Sequence, residues 1–151
     1  MKTMHSLALA AALTAGALSL TAGIGATSAL AGGSTVSVEQ YGSRNAIGAG
    51  QRGTQNRLTV YQNGRGNTAV TSQDGYRNRV VIGQQGSRNS GNSWQRGANN
   101  IVGVAQFGSG HTAVTSQDGS GNAVAVIQAG RNNNARSTQV GAGNVSVIIQ
   151  D

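Results

Sequence analysis

From Ser34 onward apolar and polar positions alternate in short runs, and the runs recur every eleven residues. Gln marks the frame at Gln40, Gln51, Gln62, Gln73, Gln84, Gln95, Gln106, Gln117, Gln128, Gln139 and Gln150, eleven of the 13 Gln in the chain. Gly stands two places on, at Gly42, Gly53, Gly64, Gly75, Gly86, Gly97, Gly108, Gly119, Gly130 and Gly141. Asn stands five places on, at Asn45, Asn56, Asn67, Asn78, Asn89, Asn100, Asn122, Asn133 and Asn144, with His111 the one departure. The unit reads Q-x-G-x-x-N-x-Φ-x-Φ-x, where Φ is small or apolar. A chain rich in Gly, Asn and Gln can stay disordered, but a disordered chain has no reason to hold phase over so many units. A fixed period is the mark of a repeat architecture.

Inside the unit the period is two, so Asn, both Φ residues and the next Gln share one face of a strand. This predicts strands over Asn45–Gln51, Asn56–Gln62, Asn67–Gln73 and so on to Asn144–Gln150, preceded by Ser34–Gln40. Four residues separate successive strands, and the fixed Gly among them supplies the positive φ of a bend. The Φ columns alternate in size. One set of strands carries Val36/Val38, Leu58/Val60, Val80/Ile82, Val102/Val104, Val124/Val126 and Ser146/Ile148. The set between carries Ile47/Ala49, Ala69/Thr71, Gly91/Ser93, Ala113/Thr115 and Ala135/Ser137. Large opposite small fills the gap between two close sheets. The full repeat is then 22 residues, two strands and two bends, and Thr68–Gly75 recurs verbatim at Thr112–Gly119, two coils on. The fold expected is all-β, a cross-β solenoid of about five such coils with two strands each.

Stacking coils about 4.8 Å apart makes residues 22 apart direct neighbours. Arg52, Asp74, Arg96 and Asp118 then form one ladder of alternating sign, which opposes register slips although each exposed pair contributes under about 1 kcal/mol. Arg57 and Arg79 become like-charged neighbours by the same rule. Buried Gln and Asn amides can each donate to the copy above and accept from the copy below, which turns costly polar groups into an axial chain.

Residues 1–31 do not share the pattern. Met1-Lys2 opens an uncharged Ala/Leu/Gly/Thr stretch that ends in Ala29-Leu30-Ala31, the form of a cleaved secretory signal. A membrane anchor is the competing reading, but Gly16, Gly23 and Gly25 interrupt the stretch and no basic residue follows it closely. The domain division is therefore 1–31 signal peptide and 32–151 repeat domain. The latter holds 10 Arg, no Lys and 4 acids, all outside the inward columns, and the whole chain has net charge +7. Absence of Cys removes disulfides, thiol catalysis and Cys-ligated metals.

Catalytic chemistry has little to draw on. Asp74 and Asp118 lie two coils apart, roughly 10 Å by the stacking distance, which suits an inverting glycosidase, but Arg96 falls between them. His111 replaces an inward Asn and has no acid or thiol partner in the pattern, so a satisfied ladder position is the simpler reading. No Gly-rich turn is followed by Lys-Ser/Thr or opens a helix, as a phosphate loop requires. An ice-binding solenoid needs an outward Thr row, whereas Thr71 and Thr115 point inward. The outward Arg with Tyr41, Tyr61, Tyr76, Trp94 and Phe107 suit polyanions such as extracellular DNA or acidic polysaccharide, with solubilising charge and lateral fibre contact as the plainer account. No enzyme activity, cofactor or metal is expected.

The signal followed by repeated Q-x-G-x-x-N-x-Φ-x-x-x-Q over residues 34–150 resembles the curlins, subunits of bacterial curli. The resemblance implies export to the surface of a Gram-negative bacterium and assembly into extracellular amyloid fibres for adhesion and biofilm matrix. It also implies partners: other copies of the chain, a second curlin subunit, and curli secretion and assembly proteins. The Arg content is similar to that of nucleator subunits, while the regular last repeat favours a fibre-forming one. The competing class is a monomeric secreted solenoid that acts as an adhesin or polyanion-binding module.

Overall fold

A computed structural model describes residues 25–26 and 32–151. The signal peptide expected over 1–31 lies outside the described residues, save for the short strand β1 (Gly25–Ala26). The repeat region forms β2 (Thr35–Ser43), β3 (Ala46–Thr54), β4 (Arg57–Arg65), β5 (Thr68–Tyr76), β6 (Arg79–Ser87) and β7 (Ser90–Ala98). It continues as β8 (Ile101–Ser109), β9 (Thr112–Ser120), β10 (Ala123–Arg131), β11 (Asn134–Ala142) and β12 (Val145–Gln150). Every pairing within the repeats joins residues 22 apart in parallel, as Gln40 with Gln62 and Gln51 with Gln73. One sheet stacks β2, β4, β6, β8, β10 and β12, and the other stacks β1, β3, β5, β7, β9 and β11. The chain is a β-solenoid of about five turns, about 22 residues per turn, with no helix among the described residues.

The core follows the alternation of Φ residues. Leu58, Val60, Val80, Ile82, Val102, Val104, Val124 and Val126 of one sheet are buried against Ala69, Ala113 and Ala135 of the other. Where the small sheet carries Gly91, a Cβ would meet Ile82 Cγ2 at 3.3 Å. Thus the first Φ position of a strand faces the second Φ position of the strand before it, and the large residue leaves no room for two.

The bends differ from the sequence expectation. Strands begin one residue after Asn and run three residues past Gln, so only two residues, such as Arg44-Asn45, separate them instead of four. The fixed Gly lies within the ladder, Gly42 beside Gly64 and Gly64 beside Gly86, with φ from 89° to 129° along the column. The corner is made two residues later by a second positive φ, at Arg44, Gln55, Gly66, Arg77, Arg88, Asn99, Gly110, Gly121, Asn132 and Gly143. The Gly requirement is therefore also one of contact: a Cβ on Gly86 would fall inside the carbonyl oxygen of Gly108 in the next coil. The other sheet also gains a member that the repeats do not supply, because β1 pairs with Gly48 and Ala49 of β3.

Candidate functional site

What the coils present along their axis is two continuous rows of amides. In the large-residue sheet Gln40, Gln62, Gln84, Gln106, Gln128 and Gln150 are linked Nε2 to Oε1 at 2.7–2.9 Å. In the small-residue sheet Gln51, Gln73, Gln95, Gln117 and Gln139 are linked in the same direction at 2.6–3.0 Å. Each inner Gln is buried, and its second amide hydrogen goes to a backbone carbonyl 16 residues earlier, as Gln84 to Thr68 at 2.9 Å. Donor and acceptor are both used, which removes the penalty that burial alone would impose.

The Asn column works differently from the Gln columns. The Oδ1 of Asn45, Asn56, Asn67, Asn78, Asn89 and Asn100 accepts the backbone N–H of the residue 22 further on, at 3.0–3.1 Å. The Nδ2 mostly donates to the carbonyl four residues earlier and to a column Gly carbonyl 19 residues later, as Asn78 to Asp74 and Gly97. Asn122 and Asn144 alone donate to the Asn side chain before them, at 3.2 and 3.0 Å. Asn133 donates to Ala129 at 2.6 Å. The short side chain sits at the corner and pins the backbone of two coils, whereas the longer Gln reaches its own copy. His111 occupies the column fully buried. Its Nδ1 accepts from the N–H of Asn133 at 3.2 Å, so Nε2 carries the hydrogen and donates to Phe107 O at 3.1 Å. The imidazole thus stands in for an amide, and among the described residues its ring nitrogens bond only to backbone groups, with no acid beside them.

Arg52, Asp74, Arg96 and Asp118 are consecutive partners in the small-residue sheet. Arg57 and Arg79 are partners in the other sheet. Arg77, whose Nε donates to Gln55 Oε1 at 2.7 Å and whose guanidinium lies 4.8 Å from the Tyr76 ring centre, joins them in lining one shallow groove. Arg44, Arg65 and Arg88 line a second. Among the described residues no group of three His, Cys, Asp or Glu is placed to hold a metal ion.

The two ends of the stack are unlike each other. At the start, Gln51 Oε1 is buried with no hydrogen-bond partner among the described residues. At the finish, Gln139 and Gln150 each donate one amide hydrogen to a carbonyl, Ala123 and Asn134, and have no Gln beyond them. The outer face of β12 exposes Val145, Val147 and Ile149 at 76, 62 and 69%. The direction of the amide rows depends on side-chain rotamers and is not legible in the sequence.

Residues 33–64 match the family model of the curlin associated repeat. No curated protein matches the chain. The matched stretch covers β2, β3 and nearly all of β4, and the later strands repeat its parallel pairing at 22-residue register. The match supports a curlin-family protein, and the chain is built as a β-solenoid that continues this repeat.

Proposed function

We propose that this chain is an exported subunit of an extracellular curli-type amyloid fibre, serving surface adhesion and biofilm matrix. Its first partner is another copy of itself, with a second curlin subunit and the secretion and assembly proteins of the curli system as further partners. The observation that carries the reading is the amide row that runs the length of each sheet and arrives at both ends unfinished. An uncapped parallel edge with buried amides gains hydrogen bonds only from another strand of the same pattern, whereas ordinary solenoids close their ends with polar caps. The test is growth of the protein comprising residues 32–151 at micromolar concentration. Dye-binding fibres with a meridional reflection near about 4.7 Å are expected. A chain that is β-rich by circular dichroism yet monomeric after days contradicts the proposal.

The two arginine-lined grooves favour a second reading, a solenoid that binds extracellular polyanions such as DNA or acidic polysaccharide. This is compatible with a fibre, where the grooves repeat along the surface. As a monomeric activity it predicts salt-sensitive binding without polymer growth, so the same growth assay separates the two.

A further inference from the structure

The repeats place six strands in one sheet, β2 to β12 by even numbers, and five in the other, once β1 is set aside. An odd number of half-coils leaves two ways to stack a second copy, given the fibre reading above. In the eclipsed joint, β2 of the next copy lies on β12 and each sheet keeps its identity. One strand place between β11 and the next β3 is then empty. In the half-turn joint the coil simply continues: β2 of the next copy lies on β11, and its β3 lies on β12. Each copy is then rotated by half a turn about the axis, and the large-residue sheet of one continues the small-residue sheet of the other.

We infer that copies of this chain join by the half-turn, because the amides, charges and outer faces at the two ends match only in that register. Gln150, with an amide hydrogen to give, meets Gln51, whose buried Oε1 has no donor among the described residues. Gln139 meets Gln40. In the eclipsed joint Gln51 Oε1 faces the empty place. Charge gives the same answer independently. Asp151 follows Gln150 directly and meets Arg52, which extends the alternating row Arg52, Asp74, Arg96, Asp118 by one more opposite charge. The eclipsed joint sets Asp151 beside Tyr41 instead. On the outer face the exposed Val145, Val147 and Ile149 meet Ala46, Gly48 and Gly50, the smallest outward set in the chain, rather than Thr35, Ser37 and Glu39.

The half-turn makes one demand on the core, since β12 and the next β2 are both large-residue strands and must face each other. Ser146 meets half of it. By the facing rule Val36 of the next copy meets Ile148, large against large, so the sheets part slightly there, while the remaining pair sets Val38 against Ser146, the one first-Φ residue of that sheet that is not Val or Leu. That the β3 edge accepts a parallel strand is already visible, because Gly25–Ala26 of the leader lies there against Gly48–Ala49. Removal of the leader after Ala31 clears that place for β12 of another copy.

The experiment uses the Cys-free background and the chain comprising residues 32–151, which holds the entire core and every ladder. Fibres are grown from E39C/T138C and from E39C/I149C, oxidised mildly and run on denaturing gels. In-register neighbours about 4.8 Å apart are within disulfide reach, and all three positions are exposed. The half-turn brings Glu39 of one copy beside Thr138 of another, so E39C/T138C gives a covalent multimer series and E39C/I149C stays monomeric on the gel. The reverse result overturns the half-turn and leaves the fibre reading intact. Absence of cross-links from both, in fibres that have grown, also overturns it. If one pair perturbs folding, S37C/R136C and S37C/V147C ask the same question two residues away, with the same expected order. A chain that grows no fibres in any form overturns this joint together with the fibre reading.

Discussion

At the scale of single residues, the second Φ column of the small sheet holds hydroxyls at Thr71, Ser93, Thr115 and Ser137, and not all of them find a partner. Thr71 Oγ1 and Ser93 Oγ are buried with none among the described residues, while Thr115 Oγ1 donates to Asn92 O at 3.4 Å. An unsatisfied buried hydroxyl costs about 1–3 kcal/mol, and an apolar isostere removes that cost without changing volume. Thr71→Val is therefore expected to raise stability by about 1 kcal/mol, read as a higher denaturant midpoint at unchanged slope. Thr115→Val loses a long hydrogen bond as well and is expected to gain less. Equal gains from both mean that the hydroxyl at position 71 is satisfied in solution, by water or a rotated side chain. The small hydroxyl residues are legible in the sequence as inward and small; which of them is satisfied is not, since that depends on tenths of an ångström in the neighbouring strand.

At the scale of the element, the strand and its corner are where sequence and structure diverge. Period-two alternation from Asn to Gln locates the inward face, and Asn56, Leu58, Val60 and Gln62 are all buried as that reading requires. The same alternation says nothing about where pairing stops, because Gly has no side chain to reveal which way it points. Pairing in fact runs through the Gly column, and the corner is set by the positive φ two residues later. A signal for that corner was present: Gly66, Gly110, Gly121 and Gly143, with Asn99 and Asn132, are the residue types that take this conformation most easily. Arg44, Gln55, Arg77 and Arg88 at the same position hid it. The two kinds of Gly make opposite predictions. Gly86→Ala forces a Cβ onto the Gly108 carbonyl at φ 118°, and should cost about 3 kcal/mol or more from strain and overpacking together. Gly103 has open space within 4 Å and no positive φ, so Gly103→Ala should be neutral or stabilise by about 0.5 kcal/mol by restricting the unfolded chain. Thermal melts of the two variants check this, and a Gly86→Ala protein as stable as Gly103→Ala means the stacked Gly column is looser than its register implies.

For the whole molecule, the 22-residue coil makes a prediction that depends on phase instead of amount. Deleting residues 122–143 removes one complete coil, β10 and β11 together, and brings β12 directly after β9. Large still follows small, and the Arg52/Asp74/Arg96/Asp118 row is intact. Deleting only residues 122–132 removes half as much chain. It lays Ala135 and Ser137 of β11 on Val102 and Val104 of β8, and moves Ser146 and Ile148 of β12 onto Ala113 and Thr115 of β9. The displaced β11 then faces β9, small against small, and the void left by two missing Val side chains costs about 2–5 kcal/mol. Both deletions shorten the coil stack, so the larger one also loses stability through its shorter ladders and smaller core. The expected result is nevertheless that the 22-residue deletion keeps a cooperative unfolding transition at a higher denaturant midpoint than the 11-residue deletion. It should also be seeded by full-length fibres, because its ends are unchanged and its layers keep the same order of large and small. A midpoint that falls in proportion to the residues removed, 22 worse than 11, contradicts the two-strand coil as the unit of packing. It would mean that the Gln and Asn rows, which survive both deletions in register, hold the solenoid together whatever lies between them.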